Sequence, residues 1–208
     1  MMLRFANRRL FLRDTLLVTA GACAGMVAPG LLRNELAGPV QANENVAAGT
    51  AQDVEKRLRE LGIELPPQAK PVAVYVPSVV TGNLLFTAGH IPRELTGELV
   101  TGRIGADLTL QQGAAAARLV ALHILRTVRT ALGTLNRVSR LVKVTGMVNC
   151  TSDFTQQSQV VNGFSELMIE VFGAEAGTAA RSAVGMGSLP LNVPIEIEAI
   201  FEILPERT

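Results

Sequence analysis

The sequence predicts an α+β fold: one sheet with two long helices packed on a single face. Three observations carry that prediction. Apolar residues keep helical spacing over six turns, at Leu110, Ala114, Ala117, Ala121, Ile124, Leu125, Val128 and Leu132. A second stripe, Val160, Phe164, Leu167, Met168 and Val171, marks another helix from about Gln157 to Phe172. Short β-like runs flank and separate them, giving the order ββ–α–β–α–ββ, which buries both helices against one sheet. At 208 residues and 48% hydrophobic the chain is long and apolar enough for a core and is excluded from the disordered class. Its 19 Gly and 10 Pro are too few for a collagen-like or low-complexity chain.

Taken in order, residues 43–52 are small and polar and form a linker. Asp53 caps a short helix carrying Val54, Leu58 and Leu61 on one side, stopped by Gly62 and the Pro66-Pro67 pair. Val72 to Val80 and Leu84 to Ala88 form two strands joined through Thr81-Gly82-Asn83. Gly89 through Gly105 is loop-like, and Gly133 ends the first long helix. Leu141 to Val148 is a buried strand, and Gly173 follows the second helix. Strands near Ala180–Gly187 and Val193–Leu204 close the domain, separated by a turn at Pro190. In the last strand, period two puts Val193, Ile195, Ile197, Ala199, Phe201 and Ile203 on one face. Glu196, Glu198, Ile200 and Glu202 share the other, as on the open side of a one-layer sheet.

The first 42 residues are an address. Arg8-Arg9 with Phe11-Leu12 precedes a weakly hydrophobic, Ala- and Gly-rich stretch from Leu16 to about Leu32, resembling a bacterial twin-arginine export signal. Val40-Gln41-Ala42 is a small-x-small cleavage site, and an uncleaved anchor is the alternative. The segment predicts a periplasmic or otherwise exported protein that meets the membrane only during export. Beyond it the chain holds 14 basic and 16 acidic residues, a balance that does not suit a nucleic-acid partner. Only Cys150 remains after cleavage; it ends an apolar run, as a buried, inert thiol would.

Candidate chemistry is sparse. His90 and His123 are isolated and form no metal spacing; His123 is a helix-flank residue, and His90 follows Gly89 at a strand end. Gly185-Met186-Gly187 does not precede a helix, so no phosphate loop exists. Arg118, Arg126, Arg129, Arg137, Arg140 and Lys143 lack interleaved aromatics, which suits a solvated face. A hairpin through Pro190 would set Arg181 beside Glu196 or Glu198. Such an Arg either neutralises the carboxylates or forks onto a substrate carboxylate while a Glu handles water.

The run Gly177-Thr178-Ala179-Ala180-Arg181-Ser182-Ala183-Val184, then Ser188-Leu189-Pro190 and Ile195-Glu196-Ile197-Glu198-Ala199-Ile200, resembles the C-terminal signature of the RidA/YjgF family. Tyr75-Val76-Pro77 and Gly82-Asn83-Leu84-Leu85-Phe86-Thr87-Ala88-Gly89-His90-Ile91-Pro92 resemble its N-terminal strand pair, and Val161-Asn162-Gly163 its middle. The likeness covers about Pro71 to Leu204; the helix near Asp53–Leu61 and the long loop around Thr101–Asp107 resemble its endoribonuclease L-PSP, chorismate-mutase-like branch.

The resemblance implies a chorismate-mutase-like ββαβαββ domain over residues 71–208, assembled as a homotrimer with sites in the clefts between subunits. It implies hydrolysis of reactive 2-imino acids to 2-keto acids and ammonia, without a cofactor. It assigns Glu196 the water-assisting catalytic role and places Arg181, Tyr75, Asn162, Ala88 and His90 around the substrate, with Arg181 holding its carboxylate. Three positions depart from the pattern: Ala88 stands for a site Ser, Ala183 for a frequent Cys, and His90 for the usual Gln. A noncatalytic binding protein for small carboxylates is the alternative, suggested by Ala88 and by export. An endoribonuclease is the third reading, opposed by the charge balance.

Overall fold

The structure is a computed structural model that describes residues 53–68 and 74–206. The expectations for residues 1–42 and for the linker lie outside the described residues, as does Val72; the first strand, expected from Val72 to Val80, starts only at Ser78, since the described residues 74–77 are irregular. Nearly all of the expected elements are found. Helix α1 (Val54–Glu60) is capped by Asp53, whose side chain accepts from the Lys56 N–H. Strands β1 (Ser78–Thr81) and β2 (Leu84–Thr87) form a hairpin closed by Gly82 and Asn83. Gly82 has φ +57°, the left-handed first position that a tight two-residue turn favours. Helix α2 (Leu110–Leu132) opens on a Thr109–Gln112 capping box and ends at left-handed Gly133.

Strand β3 (Val138–Asn149) is longer than its apolar run, because it is an interior strand and pairs along both edges. Helix α3 (Gln157–Gly177) breaks at Gly173 (φ 77°, ψ 167°), as expected, but one more helical turn follows before β4 (Ala180–Met186). Strand β5 (Ile195–Ile203) is last.

The sheet order is β1-β2-β5-β3-β4, antiparallel except for the parallel β3–β4 pair. This corrects one expectation. The segments either side of Pro190 do not form a hairpin: β4 lies on the outer edge of β3, and residues 187–194 carry the chain past β3 to its other side. The β3–α3–β4 segment is a helical crossover, the connection that parallel strands require.

Both long helices cover one face. Leu85, Val144, Ile195, Ile197, Ala199 and Phe201 are buried beneath them, whereas Phe86, Val184 and Glu198 are exposed on the other side. The period-two reading of β5 therefore holds along its whole length. The helices approach closely through small residues. A Cβ on Gly163 of α3 would lie 2.8 Å from the Ala114 carbonyl carbon of α2, nearer still to its oxygen. Cys150 is buried, as expected.

Two polar expectations change. His123 is buried, with Nε2 3.0 Å from the Arg93 carbonyl, so it ties the loop after β2 to α2 rather than flanking the helix. The basic residues do not form one face. Arg118 pairs with Glu170 on α3, Arg129 with Glu55 on α1, and Arg137 donates to the Leu204 carbonyl. No helix among the described residues is long and apolar enough to cross a membrane.

Candidate functional site

The residues singled out by the sequence fall into two groups. The first lies at the β4 edge. Arg181 is level with Val144 in the sheet, which turns its side chain to the helical side. There Nη1 donates to Asn162 Oδ1 (2.9 Å) and Ser165 Oγ (3.0 Å), and Nη2 donates to the Ser158 carbonyl (3.2 Å). Ser158, Asn162 and Ser165 follow one another at spacings of four and three, one ridge of α3. The ridge grips the end of the guanidinium. Among the described residues, Nε–H and the second Nη2–H have no partner. Two guanidinium donors are what a bidentate fork onto a carboxylate requires. Ser165 is a site residue that the sequence reading missed, although its helical spacing from Asn162 was visible.

The second group lies where the chain leaves β2. Phe86 pairs with Ile200, but the next bridge is His90 with Ile197. Three residues, Thr87, Ala88 and Gly89, thus oppose two, Glu198 and Ala199: a β-bulge. Its consequence is a change of face. Simple alternation would leave His90 on the open side with Phe86, whereas the bulge turns it toward the helices with Ile197. The His90 ring then contacts the Ala88 carbonyl through Nδ1 (2.8 Å) and Thr127 Oγ1 on α2 through Nε2 (2.8 Å). Burial lowers its pKa, partly opposed by the Ala88 bond, and His123 lowers it further. Its ring is therefore committed to the protein interior, not to an open ligand site.

Glu196 stands on the open face, level with Met147 of β3, with its carboxylate packed on Gly89. Burial raises its pKa above the ordinary value, and the Glu198 carboxylate raises it further. Ala88 donates its N–H to the Pro77 carbonyl, which aligns the stretch before β1 with the bulge. Tyr75, two residues before Pro77, is 47% exposed. Ala88, Gly89 and Glu196 thus share one end of the β2–β5 seam, and Tyr75 stands two residues before Pro77 on the β1 side of it.

The two groups do not meet within one protomer. Two strand spacings separate β5 from β4, and Glu196 is level with Val184, three residues past Arg181; the offset is roughly 14 Å, with side chains on opposite faces. A small substrate cannot bridge it. Among the described residues, no three His, Cys, Asp or Glu side chains are grouped to hold a metal ion.

Residues 55–202 match the family model described as YjgF/chorismate mutase-like, putative endoribonuclease. The chain belongs to the YjgF/RidA family. Among family relatives, protein TCP17 of Trypanosoma cruzi is 43% identical over 150 residues, covering 72% of this chain and 94% of that protein. The crystal structure of a protein of unknown function from Agrobacterium tumefaciens is 42% identical with a TM-score of 0.66, covering 74% and 95% of the two chains. A 2-iminobutanoate/2-iminopropanoate deaminase of Dermatophagoides farinae is 30% identical over 142 residues, covering 68% of this chain and 94% of that enzyme. The YjgF/RidA match spans both groups of site residues and the described α+β domain.

Proposed function

We propose that this protein hydrolyses small 2-imino acids to 2-oxo acids and ammonia, at clefts formed between subunits of a homotrimer. The observation that carries the reading is the Arg181 guanidinium, gripped by Asn162, Ser165 and the Ser158 carbonyl, with Nε–H and one Nη2–H left without a partner among the described residues. In this reading those two donors take the substrate carboxylate, and the imine carbon is held a short distance away. Glu196 of an adjacent copy supplies the water-handling group. Its raised pKa suits a group that accepts a proton from water during attack and returns it to the departing amine. The imine C=N and one water are consumed, and the carbon leaves as a ketone while nitrogen leaves as ammonia. The opposite-face placement of Arg181 and Glu196 supports a shared cleft, and the deaminase relative supports the substrate class.

The test is direct. A serine dehydratase generates 2-aminoacrylate in the presence of semicarbazide, and pyruvate formation is followed with and without the protein. Acceleration that is lost in Arg181→Ala and Glu196→Gln is the expected result. Arg181→Lys keeps the charge but not the planar fork, and the rate at low substrate should fall by about 10-fold or more, as loss of a charged hydrogen bond worth about 1.5–3 kcal/mol predicts. Undiminished rates in all three variants sink the assignment.

A second reading, a noncatalytic binder of small carboxylates, is favoured by Ala88, which carries a methyl group where the resemblance implies a site hydroxyl. No acceleration, with heat released on adding small carboxylates in calorimetry, selects it. Residues 1–42 are proposed to direct export through the twin-arginine route. Cell fractionation of an Arg8→Lys, Arg9→Lys double variant should leave the protein in the cytoplasm, and its unaltered export would refute the route.

A further inference from the structure

We propose that His90 is the positioning residue of Glu196: its ring staples the bulge of residues 87–89 to α2 and thereby holds Gly89 as the floor on which the Glu196 carboxylate rests. The inference rests on the reading of Glu196 as the water-handling group. Four bonds converge on His90. Its backbone exchanges both hydrogen bonds with Ile197, the residue after Glu196 (2.8 and 3.0 Å), and its ring makes the two contacts to Ala88 and Thr127. The Ala88 carbonyl can only accept, so Nδ1 carries the proton and Nε2 accepts from the Thr127 hydroxyl. Thr127 is 3% exposed and sits on the helix that the sheet packs against, so the staple is anchored in the core. Fixing the Ala88 carbonyl fixes the Ala88–Gly89 peptide plane, because a trans peptide moves as one rigid unit. Gly89 then has one place to be, and the carboxylate packs against it so closely that no Cβ fits between them.

A bulge left to itself is a locally unpaired stretch of ladder with freedom to shift. Here its two ends are tied at Phe86–Ile200 and His90–Ile197, and its middle is tied by the imidazole. Without the ring bond, Ala88 and Gly89 can rotate, the carboxylate loses its floor and water reaches it. The charged groups that bear on this titration are Glu198 beside Glu196 on β5, Lys143 on the same face of β3, and, near His90, His123 on α2 with Arg93 in the loop above it.

The experiment titrates Glu196 directly, by 13C NMR of glutamate-labelled full-length protein, with Glu196→Gln assigning its signal. In His90→Ala and Thr127→Val the Glu196 midpoint should fall toward the ordinary carboxylate value. The imine kcat should drop by about 100-fold, as a displacement of order 1 Å predicts, with little change in KM because Arg181 stands elsewhere. His90→Gln presents an amide N–H to Ala88 and an oxygen to Thr127, and should restore both readouts. An unmoved midpoint in Thr127→Val overturns the proposal, and that near-isosteric variant decides the matter if His90→Ala fails to fold. If the parent shows no imine hydrolysis, the deaminase reading falls while the titration still decides the role of His90.

Discussion

Replacing Gly89 by Ala separates the site from the scaffold. A Cβ there would lie 2.8 Å from Glu196 Cδ and 3.0 Å from Cγ, and nearer still to Oε1. Ordinary carbon contacts begin near 3.5 Å, so the carboxylate has to retreat by roughly 1 Å. The obstructed atoms are the far end of a flexible side chain, and a forced rotamer costs about 0.5–1.5 kcal/mol. Gly89 is not among the glycines with positive φ, so Ala is compatible with its backbone. Loss of unfolded-state freedom then returns about 0.4–1 kcal/mol. The two contributions nearly cancel, and a thermal midpoint within about 4 °C of the parent is expected. Activity should not be spared: moving the water-handling group by about 1 Å predicts a loss near 100-fold in kcat. The coupled pyruvate assay and a melting curve at fixed protein concentration measure both. Parental kcat would refute the role of the Gly89 floor, and a fall in midpoint beyond about 10 °C would show that the carboxylate is locked rather than displaceable.

Other expectations are structural. Gly163→Ala has the better helix former yet should destabilise, because the obstructing atoms are the Ala114 backbone carbonyl of α2 and cannot turn aside. Overpacking costs about 1–3 kcal/mol, more than the roughly 1 kcal/mol that helix propensity returns; an unchanged or higher midpoint would contradict it. Acid should weaken the fold in two windows. His90 and His123 have pKa values lowered by burial, so the unfolded chain binds protons more tightly and stability falls as pH drops below about 6.5. Burial tends to raise the Glu55 pKa, but bonds from the Leu135 N–H and Arg129 outweigh it, and the net shift is downward. Its contribution is present above the usual carboxylate value and lost as pH falls through the lowered one. Urea midpoints measured from pH 8 to 3 should decline in both ranges, and His90→Gln should flatten the upper one; a parental slope in that variant would remove His90 from the account.

Much of the site was legible as types of residue but not as neighbours. Arg181 was named from its strand and Asn162 through the family resemblance, and the structure brings them together through a direct hydrogen bond. Glu196 was also named, but its expected neighbour was wrong, since β3 and not β5 lies beside β4. His90 was placed near the ligand through the family resemblance, whereas the bulge turns its ring toward α2. Ser165 and Thr127 carry no motif and emerge only from packing.

The sequence by itself determined the number and kind of elements, the helix end at Gly133, the break of α3 at Gly173, and the buried face of β5. Each of these is a local matter: side-chain period, capping and turn conformation act within a few residues of chain. The tertiary structure alone decided strand order, the inward turn of His90 and the separation of Arg181 from Glu196. Those depend on which distant segments pair and where one extra residue is accommodated. A period-two pattern specifies a strand's faces, but it does not name the strand alongside.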